Sequence, residues 1–99
     1  MGIKLKVVTP NGTFINDKEV DIVNVQTIDG DMGILKGMVP VVSALKIGTM
    51  SFRVGNDVTY VHVHRGILKV NPDECKIITE RLYLVDENGS KIATPAKIN

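Results

Sequence analysis

The sequence predicts an all-β chain folded as an antiparallel β-sandwich of about ten short strands, and three observations point there. Val, Ile and Thr supply 32 of the 99 residues while Ala and Leu supply 9, a composition stiff at χ1 and suited to pleated strands. Apolar and polar residues alternate in short runs, and turn residues separate those runs at intervals too regular for helices. Strands this short and this numerous, with polar turns between, fit two packed sheets better than one open sheet. A chain of 99 residues holds one domain. That domain is expected over residues 1–85, followed over 86–99 by a hairpin turn, a short strand and a disordered tail.

Lys4 to Val8 forms the first strand and ends at Thr9-Pro10-Asn11-Gly12, where proline presets φ and Asn-Gly accepts positive φ. Thr13 to Asn16 resumes before a turn expected at Asp17-Lys18. Glu19 to Gln26 then alternates, with Val23 and Val25 toward the core and Asn24 and Gln26 toward water. Asp29 to Pro40 carries three glycines and a proline and reads as turn, short strand, turn. Val41 to Leu45 and Thr49 to Val54 are strands around Lys46-Ile47-Gly48, and Gly55-Asn56-Asp57 turns the chain into Val58 to His64. Arg65-Gly66 interrupts before Ile67 to Val70, where an isolated glycine marks a bulge or a close backbone approach. Asn71-Pro72-Asp73-Glu74 is a turn leading into Cys75 to Thr79. Leu82 and Leu84 alternate with Arg81, Tyr83 and Val85, and the Asn88-Gly89 pair turns into a last strand at Lys91 to Ala93.

Charge and motifs exclude several function classes. Twelve Lys and Arg against eleven Asp and Glu give a net charge of +1 with no long run of either sign, which argues against a phosphate-backbone binder. Four aromatic residues are too few for a base-stacking platform, so no nucleic-acid partner is expected. One cysteine forms no internal disulfide, and Met1-Gly2-Ile3-Lys4-Leu5-Lys6 lacks the apolar run of a signal peptide, which predicts the cytoplasm. No stretch approaches the roughly 20 apolar residues of a membrane span, so membrane association is expected only through partners. Phosphate-loop, dinucleotide-binding and zinc-protease signatures are missing, and neither a catalytic residue nor a cofactor is predicted.

Three constellations merit weighing. Asp29-Gly30-Asp31-x-Gly33 resembles the opening of a calcium loop, but the position that should supply a bidentate glutamate is Pro40. Acidic residues beside glycine are commonly turn formers. His62 and His64 project from one face of a strand and could share a divalent metal, yet no third ligand is in view and Val61 and Val63 take the core face. Cys75 begins an apolar strand and reads as a small buried hydrophobe rather than an activated thiolate.

Gly30-Asp31-Met32-Gly33-Ile34-Leu35-Lys36-Gly37-Met38-Val39-Pro40, followed by Ala44-Leu45-Lys46-Ile47-Gly48, resembles the G-E-x-G-I-L-P-G-H-x-P … A-L-x-x-G stretch of the epsilon-subunit family of F-type ATP synthases. The flanks agree. Lys4 to Pro10 resembles the family's opening strand, and Gly66 to Val70 with Cys75 to Thr79 resembles its close, so the likeness covers residues 3 to about 80. Four positions depart from the pattern: Lys36 replaces proline, Met38 histidine, Arg65 glycine and Lys69 glutamate.

The resemblance implies a non-catalytic rotor subunit of the central stalk, packed against the gamma subunit and resting on the membrane ring of c subunits. It implies a peripheral place on the cytoplasmic face of the membrane. Asp31, with Asp29 beside it, is carried over as the contact to the ring, where carboxylates on a tight turn can meet cationic loops by charge-assisted hydrogen bonds. Met38, Val39 and Val42 are carried over as gamma contacts, with Thr9 and Ser43 beside them. On the residues alone Val39 and Val42 could equally fill the core. Family members continue into a regulatory helical hairpin, whereas residues 81–99 here read as strand, turn and tail, so regulation by such helices is not carried over; either the sequence is cut short or the subunit is naturally short, and the non-helical ending favours the second. Two other readings stay open: a carbohydrate- or peptide-binding sandwich using Phe14, Phe52, Tyr60 and Tyr83, and a metal protein using His62 and His64.

Overall fold

Alternation decides which side of each strand faces inward, and a computed structural model of the chain, which describes residues 2–93, shows the result. Eleven strands follow in order: β1 (Ile3–Thr9), β2 (Gly12–Val20), β3 (Ile22–Thr27), β4 (Gly30–Ile34), β5 (Val41–Leu45), β6 (Gly48–Val54), β7 (Asp57–Val63), β8 (Gly66–Val70), β9 (Glu74–Thr79), β10 (Leu82–Val85) and β11 (Lys91–Ala93). The described residues contain no helix. The expected tail from Thr94 to Asn99 lies outside the described residues.

The strands join in the order β11-β10-β7-β6-β3-β5-β8-β9-β1-β2, with β4 paired to β3 beside this path. Ten strands laid flat would span roughly 43 Å at about 4.8 Å each. The longest extent is 32 Å, so the sheet curls onto itself. The fold-over is at β3 and β5, which share a single register pair, Thr27 with Leu45. Residues from both halves then meet in one core: Ile3, Leu5, Val7, Leu68 and Ile77 from one side, and Val23, Val25, Met50, Phe52 and Val61 from the other. This is the expected sandwich. All strand pairs run antiparallel except β1 with β9, which are parallel.

Two local expectations need correction. The turn expected at Asp17-Lys18 is a bulge inside a continuous β2: Asp17 takes a positive φ of 54°, which aspartate tolerates, and the pairing with β1 slips between Leu5 and Val7. The chain bends instead at Asp21, which splits the expected Glu19 to Gln26 strand. Its backbone N–H donates to the Arg53 carbonyl at 2.8 Å, and its carboxylate accepts the Gly55 N–H at 2.8 Å. At Gly66 the close approach is real, because a β-carbon there would strike the Ile78 carbonyl oxygen.

Candidate functional site

The β3–β4 turn presents the two carboxylates. Thr27, buried at its root, donates its hydroxyl to the Gly30 carbonyl at 2.8 Å and accepts the Asp29 backbone N–H at 3.1 Å. Gly30, at φ 121°, supplies the conformation that closes the turn. Asp29 and Asp31 are exposed, and neither forms an ion pair among the described residues. Ile28 is exposed beside them, an apolar tip that the sequence reading did not single out. The turn lies against the end of β5 through hydrogen bonds from Ile28 N–H to the Ala44 carbonyl and from Lys46 N–H to the Gln26 carbonyl.

The link from β4 to β5 is pinned at two points. The Leu35 N–H donates to the Met38 sulfur at 3.2 Å, and the Gly37 N–H donates to the Pro72 carbonyl at 2.8 Å. Met38 is partly buried and packs against the core. Val39 and Val42 are 73% and 72% exposed, so they do not fill the core. Ser43 lies on the inward side of β5, and its buried hydroxyl has no hydrogen-bond partner among the described residues. Thr9 is also buried; its hydroxyl donates to the Gly12 carbonyl at 3.3 Å and accepts the Asn11 N–H at 3.2 Å, repeating the device at Thr27.

Two residues along β5 from Val42, the row through Ala44 on the outer face is apolar over four strands. Ala44, Ile67, Ile78 and Val8 are successive register partners across β5, β8, β9 and β1. Ile67 and Ile78 are exposed, and an open groove of about 450 Å³ runs over Val8, Pro10, Ile67 and Ile78. Arg65 and Glu80 flank it as an exposed ion pair at 3.7 Å. Such a continuous apolar surface is a candidate contact with another molecule. Sequence reading found Val42 but missed the stripe, because pairing register is not visible in a single chain.

The other candidates supply less. His62 stacks on Tyr83 with ring centroids 4.6 Å apart, and His64 meets His62 edge-on at 5.4 Å. Burial, then the neighbouring His64 and Arg81, lowers the His62 pKa. Among the described residues no group of three or more His, Cys, Asp or Glu is placed to hold a metal ion. Phe14 and Phe52 are buried in the core, which leaves Tyr60 and Tyr83 alone for a sugar-stacking surface. Cys75 is fully buried, and burial followed by the Glu74 carboxylate pushes its thiol up to about 12. The most prominent exposed features are therefore the acidic β3–β4 turn and the apolar stripe.

Residues 2–85 match the family described as the β-sandwich domain of the ATP synthase delta/epsilon chain. The ATP synthase epsilon chain of Alkalihalophilus pseudofirmus is 38% identical over 82 residues, covering 83% of this chain and 61% of that protein. The epsilon chain of Halalkalibacterium halodurans is 34% identical over 95 residues, covering 96% of this chain and 71% of that protein. The chain thus spans about three fifths of the length of the first relatives it matches. A chain in the Euglena gracilis mitochondrial ATP synthase, solved as an assembly of OSCP, F1 and c-ring, superposes with a TM-score of 0.82 at 22% identity, covering 87% of this chain and 55% of that one. That likeness shows a shared fold.

Proposed function

The chain belongs to the delta/epsilon-chain β-sandwich family of ATP synthase, and from that premise we propose that it is a non-catalytic rotor subunit linking the gamma subunit to the membrane ring of c subunits. One observation supports the reading: two differently built exposed surfaces, one apolar and one acidic, adjoin on the same short strand. Val42 and Ala44 of β5 belong to the apolar face, and the Leu45 end of β5 pairs with Thr27, which braces the Asp29–Asp31 turn.

In this reading the apolar face meets gamma through Val42 and Val39. Met38 and Thr9 stand behind that surface and hold its loops in place, and Ser43 lies inward of it on β5. The carboxylates of Asp31 and Asp29 meet cationic loops of the ring by charge-assisted hydrogen bonds. Between them lies a sheet of short strands and braced turns, stiff enough to pass a twist from one neighbour to the other and so help couple ion transport to ATP synthesis. The subunit carries no catalytic step and no cofactor, and it is held at the cytoplasmic face of the membrane by the ring.

Co-expression with gamma and the c-ring tests this. The chain is expected to co-purify with both, and a chain that binds neither would sink the reading.

A further inference from the structure

Next to the apolar stripe lies a row of three lysines. Lys6 of β1 is the register partner of Lys76 on β9, and Lys76 is the partner of Lys69 on β8. All three share the outer face, since their chain neighbours Leu5, Val7, Cys75, Ile77, Leu68 and Val70 are buried. Strands about 4.8 Å apart anchor these three ammonium groups within roughly 10 Å. Like charges directly opposite each other destabilise a sheet. Among the described residues no carboxylate pairs with any of them, the one ion pair being Arg65 with Glu80.

The neighbouring rows do not share this conflict. One step along the strands Lys4 lies between Glu19 and Glu74, a balanced row. One step the other way is the apolar stripe of Val8, Ile78, Ile67 and Ala44. Repulsion is thus concentrated in one row that borders an exposed apolar surface, and Val42 closes that row on β5. Lys69 also stands where the sequence motif leads one to expect glutamate, which would have given Lys76 an opposite charge on one side.

We propose that the two stripes together receive an amphipathic helix of the gamma subunit, its apolar side on Val8, Ile78, Ile67 and Ala44 and a flank of carboxylates on Lys6, Lys76 and Lys69. Helical side chains three and four residues apart stand about 5–6 Å from each other, close to the spacing of strands, so successive carboxylates step from lysine to lysine. The two stripes lie two residues apart along each strand, about 6.7 Å, which one helix of about 10 Å diameter covers. The inference rests on the reading that this face meets gamma, and adds the charge and shape of what gamma brings.

The test uses the full chain, purified gamma subunit, and a variant carrying Lys6→Gln, Lys69→Gln and Lys76→Gln. Wild-type binding is expected to weaken steadily as salt is raised from about 50 to about 500 mM. The triple variant should bind roughly tenfold to a hundredfold more weakly at low salt and lose most of that salt dependence. Lys76→Glu places a carboxylate between two lysines, so it should melt no lower than wild type at low salt while binding gamma more weakly, which separates a docking role from a folding role. Equal binding by the triple variant and wild type would overturn this inference and leave the gamma contact standing. If wild type shows no affinity for gamma, both fall. If the substitutions abolish binding to phosphatidylglycerol vesicles but leave gamma binding unchanged, the row belongs to a lipid surface and the inference is wrong.

Discussion

The Thr27 hydroxyl donates to the carbonyl oxygen of Gly30 at 2.8 Å, and this one bond ties the acidic turn to the strand pair behind it. Thr27→Val keeps the side-chain shape but leaves the Gly30 carbonyl and the Asp29 N–H without their partner. The loss should be about 1–2 kcal/mol of stability, measured as a lower urea midpoint with an unchanged slope. An unaltered midpoint would mean that water replaces the hydroxyl without penalty.

Asp31→Arg separates attachment from folding. Asp31 is exposed and unpaired among the described residues, so reversing its charge should leave the melting temperature within a degree or so of wild type. Against a cationic ring loop the same change replaces attraction by repulsion. Binding to isolated c-ring should drop well below wild type, and equal binding would remove Asp31 from the ring contact.

Most of this fold was legible because alternation writes the inner face directly into the sequence. Val23 and Val25, read as core from period alone, are 0% and 2% exposed. The motif turns were legible for a similar reason, since glycine and proline mark them by backbone geometry. Asp17 was misread because aspartate serves a bulge and a turn equally well, and only the slip in register against β1 distinguishes them. The parallel pairing of β1 with β9 and the lysine row it creates were beyond reach, because Lys6, Lys69 and Lys76 lie far apart in the chain and only register brings them together. Val39 and Val42 look like core residues by type, but Val39 sits in the link between β4 and β5 and Val42 alternates to the outer side of β5.

Val42→Asp and Val25→Asp form a matched pair. At Val42 the new carboxylate sits in water opposite Lys69, so the melting temperature should hold while gamma binding falls. At Val25, 2% exposed, an unpaired carboxylate enters the core at a cost of several kcal/mol, comparable with the whole stability of a small domain. Circular dichroism should show Val42→Asp folded and Val25→Asp unfolded. A folded Val25→Asp chain would contradict the core assignment.

Cys75 gives a pH dependence with a definite sign. In the folded chain burial holds its thiol at about 12, against 9.0 for the free group. Above pH 9 the unfolded chain releases this proton while the folded chain keeps it, so the unfolded state binds fewer protons and stability falls as pH rises. The decline should approach about 1.4 kcal/mol per pH unit between the two values and be missing below pH 9. Lysines and tyrosines also titrate in this range, so the measurement is the difference between wild type and Cys75→Ala. The variant starts less stable because it leaves a small cavity, but its stability should fall less steeply with pH. At pH 8, below that window, a thiol reagent should modify folded wild type only as fast as the chain opens, and rapid labelling of the native protein would show that Cys75 is not sealed in the core.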